Sequence, residues 1–135
     1  MNDKYPAIGH AYEEIGRELA EIVGGDPDGV YLYAEAGDGW IGSSLFRDEG
    51  NAVRYYDTTD ELDDLLVKFR NTEKPGKRWT VMEYEIIGTK FDARFKYPEE
   101  VEVEFFDDDR REIALKRRYG DNPIIYPPWP GQPTE

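Results

Sequence analysis

Apolar residues recur along the chain with two periods, one typical of helices and one typical of strands. Over residues 6–23 they fall at three- and four-residue spacing, with charged residues on the other face and Gly24-Gly25 at the end, which predicts a helix. A second helix is predicted from Thr58, which forms a capping box with Glu61 and precedes an apolar stripe. That stripe consists of Leu62, Leu65, Leu66 and Phe69.

Period-two alternation predicts the strands, which cover residues 30–36, 40–46, 52–56, 79–87 and 90–97, with a further alternating stretch at 101–105. Short glycine-containing links at 37–39 and 88–89 indicate antiparallel hairpins. Residues 90–97 alternate strictly between aromatic or alanine and charged positions, which favours a sheet with one solvated face.

A third helix is predicted over residues 110–119. Asp107-Asp108-Asp109 precede it and Lys116-Arg117-Arg118 lie near its end, a distribution that complements the helix dipole. The order of elements predicts an α+β fold: a meandering antiparallel β-sheet with an N-terminal, a middle and a C-terminal helix on one face. Residues 1–126 form this single domain. Residues 127–135 form a Pro-rich tail, and no hydrogen-bonded secondary structure is expected beyond Asp121.

Composition narrows the possible functions. The 135 residues include no cysteine, 14% aromatic residues, and 30 acidic against 17 basic residues, for a net charge of −13. The aromatic content favours a folded chain. The charge argues against nucleic acid and against an anionic membrane as partners. The first six residues do not resemble a signal peptide and no apolar run could span a bilayer, so a soluble, cytoplasmic protein is expected.

Motifs for catalysis are weak. Gly37-Asp38-Gly39-Trp40-Ile41-Gly42 fits a G-x-G-x-x-G string, but it lies in a predicted hairpin and so indicates a turn. Ser43-Ser44 lack the flanking glycines of a nucleophile elbow, and His10 is the only histidine. Asp26 and Asp28 do not complete a calcium loop. The sequence therefore predicts no catalytic residue, no metal site and no cofactor.

Charge pattern is the remaining signal. Residues 57–64 carry five acids and residues 99–109 carry seven, both without a base. Such runs are usually solvated faces, but together they could form one negative surface that attracts a basic partner. The candidate binding residues are Asp57, Asp60, Glu61, Asp63, Asp64, Glu102, Glu104, Asp107, Asp108 and Asp109, with Tyr33 and Trp40 as aromatic anchors. The core is nevertheless the favoured place for both aromatics, because aromatic side chains bury large areas. Bases cluster at 68–78 and at 110–118, which suggests a molecule with an acidic and a basic side.

Five segments together form a recognisable pattern: Gly-Val-Tyr-Leu-Tyr-Ala-Glu at 29–35, Gly-Trp at 39–40, the strand at 79–85, Phe-Asp-Ala-Arg-Phe-Lys-Tyr at 91–97, and the helix from Arg110-Arg111-Glu112 to Arg117-Arg118-Tyr119-Gly120. These segments resemble the YezG-like immunity (antitoxin) family of bacterial polymorphic toxin systems. The order of these elements, rather than any single motif, carries the resemblance. It implies a small, non-catalytic α+β protein that binds the toxic C-terminal domain, often a nuclease, of a toxin made by the same cell.

The expected function is therefore that of an immunity protein, favoured as a monomer, which neutralises a basic toxin domain through its acidic surface. Two alternatives remain at this level. One is a non-catalytic adaptor that holds several partners weakly. The other is a small enzyme that uses paired carboxylates, which would need a concave pocket around them.

Overall fold

The computed structural model describes residues 4–100 and 107–126; within them, the side chains of 4–9 and 107–109 are not described. The helices are α1 (Lys4–Val23), α2 (Asp60–Arg70) and α3 (Asp107–Tyr119), with a short 3-10 helix at Pro98–Glu100. The strands are β1 (Val30–Gly37), β2 (Trp40–Asp48), β3 (Val53–Tyr56), β4 (Val81–Ile87), β5 (Lys90–Lys96) and β6 (Ile124–Ile125). The predicted α+β class is confirmed.

The strands form one sheet in the order β5-β4-β1-β2-β3-β6. All neighbours are antiparallel except β3 and β6, which are parallel, so the sheet is mixed rather than purely antiparallel. The meander is interrupted where the chain leaves β3, passes through α2 and returns as β4 beside β1. The hairpin between β1 and β2 is confirmed: Gly37 pairs with Trp40, and Gly39 in the turn has φ 84°.

Helices α1 and α2 cover one face of the sheet with an apolar core. Ile15 and Leu19 of α1 and Leu62 and Leu66 of α2 are fully buried there. They pack against inward positions of the central strands, namely Val30, Leu32, Ala34, Leu45, Met82 and Tyr84. The helical spacing of these apolar residues explains why the sequence pattern located both helices.

Helix α3 lies on the opposite face, so the expectation that all helices share one face was wrong. Among the described side chains of α3, only Ala114 and Leu115 are buried, against Tyr31, Tyr33, Phe46, Val53 and Val81 of the sheet. Two small or medium apolar residues give a weak helical pattern. The sequence consequently did not show which face α3 covers.

The start of α2 differs from the predicted capping box by one residue. The N-cap is Thr59, whose Oγ1 accepts a hydrogen bond of 3.1 Å from the Leu62 amide. The third helical position is thus Leu62 rather than Glu61, and the reciprocal bond of a capping box is not possible. Thr58 instead bonds to Ser43, whose hydroxyl lies 2.8 Å from Thr58 Oγ1.

The segment beyond Asp121 contains a strand that the sequence analysis did not predict. In β6, Ile124 pairs with Val53 and Ile125 with Arg54, and the Tyr126 ring lies 5.0 Å from that of Tyr55. Two residues are too few to show a period, and Pro123 suggested an unbonded chain. The predicted strand at 101–105 and the tail at 127–135 lie outside the described residues.

Candidate interaction surface

The acidic surface, as we use the term, consists of carboxylates at the start of α2 and one on α1. Its members are Glu18, Asp57, Asp60, Glu61, Asp63 and Asp64. Asp57, Asp60, Glu61 and Asp64 are exposed, whereas Glu18 and Asp63 are half-buried. The run of five acids predicted from the sequence is therefore presented largely to solvent, and α1 extends it.

Hydrogen bonds fix the two half-buried members of this surface. Thr59 Oγ1 donates to Glu18 Oε2 at 2.8 Å, which ties α1 to the start of α2. Ser43 Oγ donates to Asp63 Oδ1 at 2.6 Å, which ties α2 to β2. Asp60, Glu61 and Asp63 also lie in the first turn of α2, where negative charge is favourable to the helix. Hydrogen bonding and stabilisation of the start of α2 thus account for part of the negative charge of this surface.

The carboxylates of the acidic surface have no ion-pair partners among the described residues. None of them is within 4.0 Å of a basic nitrogen belonging to a described residue. Some carboxylates elsewhere on the molecule do have such partners, for example Glu49 with Arg54 and Asp121 with Lys116. Uncompensated, exposed carboxylates retain their full capacity to interact with a cation from outside.

The second predicted acidic run is only partly described. Glu102 and Glu104 lie outside the described residues. Asp107, Asp108 and Asp109 form the first residues of α3, and their side chains are not described. The two helices that begin with acidic residues lie on opposite faces of the sheet and both contact the same part of β2. Asp63 of α2 bonds to Ser43, and Arg111 of α3 donates to Ser44 Oγ at 3.2 Å.

The two aromatic anchor candidates occupy different environments. Tyr33 is only 5% exposed, and its hydroxyl donates to Glu35 Oε2 at 2.7 Å, so it is a core residue. Trp40 is 45% exposed, but it lies near Arg70, at the other end of α2 from the acidic surface. Neither ring borders the acidic surface at the start of α2.

Acidic residues of a different kind lie beneath α3. Arg110 Nε and Nη2 both donate to Glu35 Oε1, at 2.9 and 2.6 Å, and Glu35 is buried. The Arg118 guanidinium contacts Glu85 Oε2 and lies 4.6 Å from the centre of the Tyr31 ring. Strand alternation placed Tyr31, Tyr33 and Glu35 on one face, but nothing in that pattern showed that Arg110 and Arg118 would cover it.

The pKa values of Tyr31 and Tyr33, which lie between the sheet and α3, are strongly raised. Burial, followed by a hydrogen bond to Glu83, raises the pKa of Tyr31 far above its usual range. Burial, followed by the bond to Glu35, does the same to the pKa of Tyr33. Both hydroxyls donate to carboxylates and stay protonated at neutral pH, which makes them structural hydrogen-bond donors.

Within the described residues, no group of three or more His, Asp or Glu side chains is placed to hold a metal ion. His10 lies on the surface of α1, with Nε2 3.2 Å from Glu14 Oε1. The acidic surface consists largely of exposed carboxylates, which can attract cationic groups electrostatically.

Comparison with known proteins adds no assignment: no family model matches the chain, and no curated protein matches it. In the part of the chain that the structure describes, no helix combines the length and apolarity needed to cross a membrane.

Proposed function

We propose that this protein is an inhibitor that binds a basic toxin domain through the acidic surface, as an immunity protein does. The observation that carries the proposal is the set of exposed carboxylates around the start of α2 that have no ion-pair partner among the described residues. The resemblance of the strand and helix segments to the YezG-like family supports the same function.

Electrostatics gives this surface two roles in binding. The net charge of −13 produces a field that speeds the approach of a basic partner. Carboxylates fixed by Thr59 and Ser43 then keep their positions when the partner arrives, so less side-chain entropy is lost. A nuclease domain is a suitable target because its substrate-binding cleft must attract phosphates.

The test uses affinity capture from the native host with three forms of the protein, followed by mass spectrometry. The first is the parental chain. The second carries Asp57→Asn, Asp60→Asn, Glu61→Gln and Asp64→Asn, all at exposed positions of the acidic surface. The matched control removes four exposed carboxylates elsewhere, through Glu13→Gln, Asp92→Asn, Glu99→Gln and Glu112→Gln.

The proposal predicts one dominant basic protein that the parental and control forms retain and that the acidic-surface variant loses at moderate salt. Adding the purified parental chain should abolish the toxic activity of that protein at one-to-one stoichiometry. Equal capture by all three forms would contradict the acidic interface, and a captured protein that stays fully active in the complex would contradict inhibition.

A further inference from the structure

A cleft lies at the end of α2, between the β1–β2 turn and the loop that follows α2. It has a volume of about 770 Å³ and is lined by residues that include Trp40, Ile41, Val67, Arg70, Pro75 and Arg78. This volume lies within the range of ~300–1,000 Å³ typical of small-molecule sites. The cleft lies at the C-terminal end of α2 and the acidic surface at its N-terminal end, and Asp60 and Arg70 at the two ends are roughly 15 Å apart at 1.5 Å per residue.

One wall of the cleft is apolar and unusually exposed. Trp40 is 45% exposed and Val67 is 39% exposed, and both are among the few large apolar side chains that face solvent. The Trp40 indole lies on Gly37, where an added Cβ atom would come within 2.2 Å of the indole Nε1. Because glycine allows this close approach, the indole ring has a defined position in which its edge and face can contact a ligand.

The cleft is also lined by two arginines whose guanidinium groups are held by the backbone. Arg70 Nε donates to the Trp79 carbonyl at 2.7 Å, and Arg78 Nε donates to the Glu73 carbonyl at 2.9 Å. Among the described residues, no hydrogen bond is made by an Nη atom of either arginine. Arg70 is the more buried of the two, and its Nη1 lies 3.7 Å from Asp38 Oδ1, which is a loose contact to a fully exposed carboxylate.

We infer that this cleft binds an apolar carboxylate, with the apolar group against Trp40 and the carboxylate on the Nη atoms of Arg70 and Arg78. A guanidinium fork matches the two oxygens of a carboxylate, and anchoring at Nε leaves the Nη atoms directed elsewhere. The ligand carboxylate replaces Asp38 as the partner of Arg70. The net charge of −13 disfavours a polyanion such as nucleic acid, so a single negative charge fits better.

The carbonyl end of α2 does not by itself attract an anion, since a helix C-terminus carries partial negative charge. Lys68 and Arg70 lie in the last turn and offset that charge. Recognition of the carboxylate therefore depends on the arginine side chains rather than on the helix end. This site is separate from the acidic surface and does not depend on the proposed inhibitor function.

The test titrates the full chain with phenylacetate and records amide and indole NMR signals. Phenylacetamide, which has the same shape without the charge, serves as the ligand control. A second arm uses the tripeptide Gly-Gly-Phe with a free or an amidated C-terminus, which distinguishes a small acid from a chain terminus as the source of the carboxylate. The variants are Arg78→Gln, with Arg94→Gln on β5 as the matched control, and Asp38→Asn.

We expect saturable shifts at the Trp40 indole and at Val67 and Arg70, with at least tenfold weaker binding of the uncharged analogues. Arg78→Gln should weaken binding about tenfold, as loss of one charged hydrogen-bonding group does, whereas Arg94→Gln should leave it unchanged. Asp38→Asn should tighten binding, because it removes the competing carboxylate. Tighter binding of phenylacetate identifies a small acid as the source of the carboxylate, whereas tighter binding of Gly-Gly-Phe with a free C-terminus identifies a chain terminus. Absence of saturable shifts at about 10 mM ligand, or equal shifts with the amides, would overturn the inference.

Discussion

The two faces of the sheet use carboxylates in opposite ways. On the α1 and α2 side, the core is apolar, and the carboxylates of the acidic surface lie outside it without ion-pair partners among the described residues. On the α3 side, Glu35 and Glu85 are buried and paired with arginines of α3. The difference teaches that burial and partners, not residue type, separate an acid that holds the fold from an acid available for binding.

The largest effect is expected from a cavity on the apolar face. Leu19→Ala removes a fully buried side chain between α1 and the sheet, and should lower the free energy of unfolding by about 3–4 kcal/mol. Leu115→Ala on α3 should lower it by only about 2 kcal/mol, since α3 can settle into the space. Urea unfolding followed by circular dichroism measures both. A larger loss for Leu115→Ala would show that α3 depends on apolar packing after all.

Breaking the buried ion pair should rank second. Glu35→Gln removes the charge that accepts two hydrogen bonds from Arg110 and one from Tyr33, which should lower the free energy of unfolding by about 1–3 kcal/mol. Hydrogen exchange should accelerate in α3 more than in α1. Glu13→Gln, in an exposed pair with Arg17, is the control and should change neither quantity. Equal acceleration in α1 and α3 would mean that the two faces do not respond separately.

Alkaline pH should destabilise the protein through tyrosines on both faces of the sheet. Burial raises the pKa of Tyr31 and Tyr33 far above the usual range, whereas burial raises the pKa of Tyr84 on the other face to about 12. A folded-state pKa above the unfolded value gives stability that is complete below the unfolded pKa and lost as the pH rises. Each tyrosine should therefore contribute a loss of about 1.4 kcal/mol at one pH unit above its unfolded pKa of ~10.

The measurement is the free energy of unfolding between pH 8 and pH 11, with tyrosinate absorbance recorded in parallel. Tyr31→Phe and Tyr33→Phe should each flatten the decline. Tyr84→Phe should flatten it by nearly the same amount, because a folded-state pKa of about 12 lies above the end of this pH range. A decline that none of the three variants alters would exclude these tyrosines as its cause.

The smallest structural effect concerns the start of α2. Thr59→Ala removes the hydroxyl that accepts from the Leu62 amide, and should cost about 1 kcal/mol of stability. Thr58→Ala should cost less, because Thr58 caps no helix and only bonds to Ser43. Thermal unfolding of the two variants distinguishes them. A greater loss for Thr58→Ala would restore the capping box that the sequence predicted.

The same contrast explains how far the sequence could be interpreted. Helices α1 and α2 were predictable because Ile15, Leu19, Leu62 and Leu66 repeat at helical spacing on a dry face. The placement of α3 could not be predicted from the sequence, because its contacts are long-range pairings such as that of Arg110 with Glu35, 75 residues apart. No local period encodes such a pairing.

The candidate site likewise includes features that the sequence showed and features that depend on tertiary packing. The acidic run at 57–64 was visible because charge is a local property of the sequence. The contribution of Glu18 to the acidic surface was not visible in the sequence, because it depends on the packing of α1 against α2. Strand alternation placed Tyr33 on a face but could not show that α3 covers that face and excludes Tyr33 from solvent.

The division between structural and binding carboxylates can be tested directly with the captured partner. The measurement is the rate at which three proteins associate with that partner, together with the free energy of unfolding of each. They are the parental chain, the Glu35→Gln variant, and the acidic-surface variant with Asp57→Asn, Asp60→Asn, Glu61→Gln and Asp64→Asn. The account predicts at least tenfold slower association for the acidic-surface variant at nearly unchanged stability, and a stability loss with an unchanged rate for Glu35→Gln. Unchanged association of the acidic-surface variant would contradict the account.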